Sequence, residues 1–139
     1  MAERHWTPTM VEDRLEEAAD TLRRLPDGQK PQTHMSAWPA VLRDFWEVYG
    51  QERPRLRLPP PHPAAIDRLD QTLAWLAWLE TDEVRLVWLR AERVRWKAIC
   101  WRFGVSRTTA WRNWVAALVK IAARLNAEQE LRPRRLRPG

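Results

Sequence analysis

The sequence is poor in cysteine, glycine, tyrosine and phenylalanine, and these scarcities exclude several kinds of fold. A single cysteine, Cys100, in 139 residues excludes an internal disulfide framework and is typical of a reducing compartment. Four glycines against eleven prolines favour helices joined by rigid connectors over sheets with tight turns. We therefore expect an all-α chain of roughly five to six helices, in about one domain.

Long apolar runs are also missing. No run approaches the length of about 18 residues that crosses a bilayer. The N-terminal sequence MAERHWTPTM contains no apolar signal-peptide segment. These absences predict a soluble, cytoplasmic protein that does not bind membranes.

Patterns that carry catalysis are missing as well. The sequence contains no glycine-rich phosphate loop, no metal-spaced Cys/His set and no HExxH motif. The three histidines lie in the N-terminal half, far in sequence from Cys100, so no nucleophile pair is indicated. We interpret two groups of carboxylates as solvated helix faces: Asp67 and Asp70, and Glu16, Glu17 and Asp20. We expect no enzyme activity, no cofactor and no metal site.

Positive charge is concentrated in the last third of the chain. Residues 1–90 carry 12 basic and 15 acidic side chains, whereas residues 91–139 carry 12 and 3. No acidic residue occurs in residues 93–127. Such an asymmetry favours a polyanionic partner, most often nucleic acid, and a merely solvated surface is the alternative.

Apolar spacing predicts helices in the first half of the chain. The sequence TMVE at residues 9–12 is a capping box, with Thr9 as N-cap and Glu12 reaching back. An apolar stripe at helical spacing follows it: Val11, Leu15, Ala18, Leu22 and Leu25. Residues 38–50 predict a second helix that begins at Pro39 and ends at Gly50. Residues 1–50 are thus an N-terminal helical segment.

A proline-rich linker at residues 51–62 precedes the C-terminal helices. Residues 51–63 hold five prolines, so this segment is semi-rigid. Pro63 begins a third helix with two apolar sides, and Thr81 is the expected N-cap of a fourth. We expect one domain over residues 63–127 and a basic, disordered tail over residues 128–139.

The segment WKAICWRFGVSRTTAWRNW, residues 96–114, predicts a helix–turn–helix. Trp96, Ile99, Cys100 and Phe103 share one face of a short helix, which ends where Gly104 can adopt a left-handed conformation. Ser106 is the next N-cap, and a long apolar stripe follows it: Ala110, Trp114, Ala117, Leu118, Ile121 and Leu125. Two helices joined by so short a turn cross at a steep angle.

Residues ~80–126 resemble the promoter-reading region 4 of sigma factors. The segment TDEVRLVWLRAERVRWKAICWRFGVSRTTAWRNWVAAL matches that pattern in order. Where the family usually has alanine and a β-branched residue, this chain has Cys100 and Ala110, which keep the interior small and apolar. The layout also resembles an uncharacterised family of small helix–turn–helix proteins of bacteria and phages, through WTP, TLRRLP and RLDQTLAWLAWLE. The resemblance to sigma region 4 implies an all-α fold and binding to DNA, whereas the resemblance to the uncharacterised family implies no activity.

The tryptophans of residues 96–114 have different expected positions. We expect Trp96 and Trp114 to lie in the core and Trp101 to pack against an N-terminal helix. The outward face of the last helix is expected to read bases in the major groove through Arg107, Thr108, Trp111 and Arg112. Phosphate contacts are expected from Arg95, Lys97, Arg102 and Thr109.

The sequence thus favours a sequence-specific binder of double-stranded DNA, a transcriptional regulator of phage or mobile-element type. One alternative is a phage small terminase subunit that recognises viral DNA for packaging. Another is a protein-interaction adaptor with the same fold, for which RNA polymerase or a phage protein is the expected partner. A second apolar strip on the last helix (Val115, Val119 and Ala122) predicts either cover by the N-terminal helices or a homodimer.

Overall fold

The computed structural model describes residues 5–25 and 59–131. Within these ranges the chain forms helices and no strand, which confirms the all-α class. The α-helices are α1 (Pro8–Arg24), α2 (Pro63–Trp75), α3 (Thr81–Ala91), α4 (Trp96–Phe103) and α5 (Arg107–Leu131). A 3-10 turn, Leu76–Trp78, follows α2. The predicted helix over residues 38–50, most of the proline-rich linker and residues 132–139 lie outside the described residues.

The N-terminus of α1 differs from its prediction. Thr7, not Thr9, is the N-cap, and its hydroxyl accepts a hydrogen bond from the Met10 N–H at 3.2 Å. Pro8 takes the first helical position, where the missing N–H costs nothing. The predicted capping box of Thr9 and Glu12 is therefore wrong, because the helix begins two residues earlier.

Two further helix ends differ from expectation. Glu80 rather than Thr81 is the N-cap of α3, and the backbone N–H of Glu80 donates to the Glu83 carboxylate at 2.9 Å. This is the reciprocal pairing of a capping box, with glutamate at both positions. At the other end of the molecule, α5 continues to Leu131, so residues 128–131 are helical rather than part of the tail.

One apolar core joins α1 to the C-terminal helices. α1 packs against α2, α3 and α5, and the stripe predicted for it is buried apart from the half-buried Leu25. The largest side chain of this core is Trp88 of α3, at 0% exposure. α1 and α2 therefore share one core, although they lie on opposite sides of residues 26–58 in the sequence.

Trp6, which precedes α1, forms two hydrogen bonds with α5. The Trp6 N–H donates to Asn126 Oδ1 at 2.8 Å, and Asn126 Nδ2 donates to the Trp6 carbonyl at 3.0 Å. α1 thus covers the middle of α5, where Ala122 is buried. Val119 is still 46% exposed, so cover of the second apolar strip is partial.

α4 buries fewer residues than the other α-helices. Its one fully buried residue is Ile99, which forms a small second cluster with Leu86 and Leu89 of α3. Half-buried aromatic residues, Trp96, Phe103 and Trp114, close the margin of this cluster. The described helices include none long and apolar enough to span a membrane.

Two left-handed residues define the ends of α3 and α4. Arg93 has φ 63° and Gly104 has φ 65°. At Arg93 the turn is closed by the Val94 N–H, which donates to the Leu89 carbonyl at 3.0 Å. At Gly104 an added Cβ would meet no atom within 4 Å. At Gly104, backbone conformation rather than crowding therefore decides the effect of a substitution.

We expect opposite effects of substitution at the two turns. Arg93→Gly relieves a left-handed strain of about 1–2 kcal/mol at a cost in chain entropy of about 0.5–1 kcal/mol, so it should raise the free energy of unfolding by about 0.5–1 kcal/mol. Gly104→Ala should lower it by about 1 kcal/mol. Urea denaturation measures both. A loss of stability in Arg93→Gly would contradict the assignment of that turn.

Candidate nucleic-acid interface

The turn before α5 is built as the sequence predicts. Gly104 is left-handed, and its N–H and that of Val105 both donate to the Cys100 carbonyl. The Ser106 hydroxyl accepts from the Thr109 N–H at 3.2 Å and donates to the Thr109 hydroxyl oxygen at 3.0 Å. The Thr109 hydroxyl can still donate its own proton. The turn is therefore closed within itself and fixes where α5 begins.

The first turns of α5 present the residues that were expected to read bases. Arg107, Thr108, Trp111 and Arg112 are all exposed, and Trp111 is 51% exposed. Residues four apart on a helix lie in one row, so Arg107 and Trp111 form one row and Thr108 and Arg112 the next. We call these four residues the α5 face.

Within the described residues, the cations of the α5 face are not neutralised by ion pairs. No ion pair joins Arg107 or Arg112 to any residue in the described ranges. Further along the helix the cations are paired: Lys120 contacts Glu83 at 3.0 Å and Arg124 contacts Glu128 at 3.5 Å. Unneutralised positive charge is thus concentrated at the N-terminal half of α5.

The positive charge at the N-terminal end of α5 does not stabilise the helix. The first turn of α5 contains no acidic residue, although the partial positive charge of a helix N-terminus favours acids there. A cation in that turn is slightly unfavourable for folding. The same positive potential would favour an anionic ligand at this end of the helix.

Four residues were expected to contact phosphates, and all four are exposed. Arg95 precedes α4, Lys97 lies in its first turn and Arg102 in its last, while Thr109 lies in the first turn of α5. Cations therefore flank both ends of α4, next to the turn that leads into the α5 face.

Trp96 and Trp114 pack against each other but are not fully buried. Their rings meet edge to face, with centroids 5.6 Å apart. Both lie at the margin of the second cluster, and Trp114 also borders the main core. The expectation that they face inward is confirmed, although each is half-buried.

Trp101 differs from its prediction. It is 89% exposed, so the expected packing against an N-terminal helix is wrong. The reason is its position on α4: Ile99 faces the second cluster, and a residue two positions further along a helix points to the opposite side.

Sequence reasoning does not single out Arg90, which links three helices. Its guanidinium lies 4.4 Å from the Trp96 ring centroid and 5.8 Å from that of Trp114. Its Nη1 donates to the Val94 carbonyl at 2.9 Å. Arg90 thus connects the end of α3 to α4 and α5. No spacing signal could have shown this, because the contacts cross three helices.

The charge of Arg90 also reaches α1. Burial raises the pKa of Glu12, and the neighbouring carboxylates of Glu16 and Asp13 raise it further, while Arg90 opposes the rise. Arg90 therefore lies within electrostatic reach of an acidic residue on the helix that covers α5.

We expect Arg90→Met to lower the free energy of unfolding by about 1–2 kcal/mol, because it removes a cation–π contact and a charged hydrogen bond. Arg85→Met is the matched control, since Arg85 is exposed on the same helix and lies 3.8 Å from Asp82. The control should change stability by less than about 0.5 kcal/mol. If urea denaturation shows the same loss of unfolding free energy in both variants, Arg90 contributes no more to stability than an exposed arginine.

Four of the five clustered carboxylates form surface ion pairs or are exposed, and Glu16 is half-buried. Glu17 accepts from Arg68 at 2.7 Å and Asp20 from Arg24 at 2.8 Å, and Asp67 and Asp70 are exposed. No set of three or more His, Cys, Asp or Glu residues suited to a metal ion occurs in the parts of the chain that the structure describes.

Together, the described helices form an all-α bundle whose last two helices, α4 and α5, are joined by a short turn, with an exposed cationic face on α5. The chain belongs to the family described as Domain of unknown function (DUF6362), whose model matches residues 23–121. The matched range includes α2, α3, α4 and the α5 face. No curated protein and no solved structure matches the chain.

Proposed function

We propose that the chain is a sequence-specific binder of double-stranded DNA, a transcriptional regulator of phage or mobile-element type. In this proposal the N-terminal turns of α5 enter the major groove. The observation that carries it is the α5 face: two arginines without an ion-pair partner in the described residues, beside an exposed tryptophan, on a helix end without acids. No folding requirement explains that combination.

The chemistry of each side chain fits a role on the duplex. The guanidinium groups of Arg107 and Arg112 can donate two hydrogen bonds to the edge of guanine, and Thr108 and the ring of Trp111 can contact other base edges, including the thymine methyl. Such contacts specify sequence. The ring of Trp111 is large and rigid, so little conformational entropy is lost when it is immobilised.

Phosphate contacts would set the register. Arg95, Lys97 and Arg102 around α4, with the Thr109 hydroxyl, provide charge and a donor beside the α5 face. Contacts of this kind orient a protein on DNA without reading its sequence. The resemblance of residues ~80–126 to sigma region 4 supports the same orientation, with α5 as the recognition helix.

Selection of bound DNA tests the proposal. The chain is incubated with fragmented DNA of the organism that encodes it, and the retained fragments are sequenced. We expect enrichment of fragments that share a short motif, and competition by that motif but not by its shuffled version. Retention without any shared motif would contradict sequence-specific recognition.

The oligomeric state separates the regulator from the packaging protein. Val119, 46% exposed on α5, leaves apolar surface that a second copy could cover. A monomer or dimer by mass in solution supports the regulator, since dimers bind paired half-sites. A ring of many copies would instead favour a small terminase subunit.

A further inference from the structure

Trp101 is the most exposed tryptophan among the described residues. It is 89% exposed, whereas Trp88 in the core is 0% exposed. Its indole is therefore available to a partner across nearly its whole surface. Burial of so large a ring would give a partner much of its binding energy.

Three residues next to Trp101 on α4 are exposed, and two of them, Lys97 and Arg102, are cationic. Lys97 lies one helical turn before it in the same row, Ala98 is small and exposed, and Arg102 is exposed beside it. No acidic residue occurs in residues 93–127. We call Lys97, Ala98, Trp101 and Arg102 the α4 face.

The indole of Trp101 makes no visible contribution to the fold. The inward side of α4 is formed by other residues: Trp96, Ile99, Cys100 and Phe103. Since an 89% exposed ring buries almost no apolar area, folding does not explain a tryptophan here. The reason for it must lie in what the ring contacts.

Charge and shape together indicate the partner. A surface with cations and no acids attracts a polyanion, and a bare indole offers a flat π-face for stacking. A nucleic-acid strand has both features, phosphates and flat bases. In an intact, regularly stacked duplex the grooves expose only base edges, so an indole can stack only where a base is unpaired, unstacked or at a strand end.

We propose that the α4 face binds unpaired nucleotides, with one base stacked on the indole of Trp101 and the neighbouring phosphate held by Lys97. The ligand class is a single strand, or the unwound part of a duplex. The ring of Trp101 takes no part in base reading by the α5 face, so the stacking site does not depend on that reading, although Lys97 and Arg102 are also the proposed phosphate contacts of the duplex. If both are active, the chain would prefer duplex DNA with an unpaired stretch beside the recognised sequence.

Binding of short labelled oligonucleotides, measured by fluorescence anisotropy at one fixed salt concentration, tests the proposal. The probes are oligothymidine and an abasic strand of equal length, which has the same phosphates but no bases. We expect Trp101→Ala to weaken oligothymidine binding by about fivefold to about 100-fold and to leave abasic binding unchanged. Trp101→Phe should give an intermediate loss.

The controls keep the outcomes distinct. Trp101→Ala should fold with an unchanged thermal midpoint, and Trp101→Phe provides a second test. Base stacking on Trp101 is excluded if Trp101→Ala binds oligothymidine with wild-type affinity. It is also excluded if the variant loses affinity for oligothymidine and for the abasic strand by the same factor. A wild-type chain that binds oligothymidine but no duplex would overturn the proposed function and support this site. A wild-type chain that binds duplex but not oligothymidine would contradict this site and support the proposed function.

A further probe distinguishes the source of the strand. Oligouridine of equal length presents the same kind of stacking face on a ribose backbone. Equal loss for both probes in Trp101→Ala would show that the site takes an unpaired base from either DNA or RNA, because a tryptophan does not recognise the sugar. A loss confined to oligothymidine would assign the site to DNA. Either result supports stacking.

Discussion

We expect the double variant Arg107→Ala/Arg112→Ala to bind its selected duplex about 30-fold or more weaker than the wild type, with an unchanged thermal midpoint. Each bidentate contact to a base contributes about 1–3 kcal/mol, so the loss of two lowers the binding free energy by about 2 kcal/mol or more. Both side chains are exposed and have no ion-pair partner within the described ranges, which is why stability should not change.

A matched double variant controls for net charge. Arg23→Ala/Arg85→Ala removes the same charge from exposed positions on α1 and α3, where the arginines lie 3.6 Å and 3.8 Å from aspartates. Such surface pairs contribute little to stability. We expect this variant to retain sequence preference and most of its affinity. If both double variants lose the same duplex affinity, the arginines of the α5 face contribute only charge to binding.

The largest effect on stability is expected at Trp88. Trp88→Ala should lower the free energy of unfolding by about 3–5 kcal/mol, because it leaves a cavity between α1, α2, α3 and α5. Trp88 is 0% exposed and belongs to the main core. Since a domain is stabilised by only about 5–15 kcal/mol in total, urea denaturation should show a large shift of the midpoint.

Trp88→Phe separates packing from hydrogen bonding. The indole Nε1 of Trp88 is buried and has no hydrogen-bond partner among the residues that the structure describes, and such an unpaired donor costs about 1–3 kcal/mol. Phenylalanine keeps part of the apolar ring and removes that donor. Trp88→Phe should therefore lower the free energy of unfolding by much less than Trp88→Ala. Trp114→Ala should also cost less than Trp88→Ala, because Trp114 is half-buried. A Trp88→Ala variant as stable as the wild type would contradict the assignment of the core.

The sequence predicts α4, α5 and the turn between them well because the signals for these elements are local. Helical spacing gives the inward residues of α4 and α5, and a glycine followed by a serine cap gives the turn between them. The N-terminus of α1 is less certain from sequence because Thr7 and Thr9 can each cap a helix. Pro8, which suits a first helical position, favours Thr7.

Features that depend on tertiary contacts could not be predicted in the same way. Helical spacing places Trp101 outside the inward face of α4, but whether an N-terminal helix covers it depends on tertiary packing, and it is 89% exposed. The position of Arg90 between Trp96 and Trp114 likewise joins residues of three helices. The α5 face was predictable because the absence of acids in residues 93–127 is visible in the sequence itself.

The salt dependence of duplex binding tests most directly whether this cationic surface binds DNA. If Arg95, Lys97 and Arg102 contact phosphates, the logarithm of the association constant should fall with the logarithm of salt concentration with a slope of about −3, or roughly −0.9 per contact. A slope near zero, or no duplex binding at low salt, would contradict DNA binding and favour a protein-interaction adaptor.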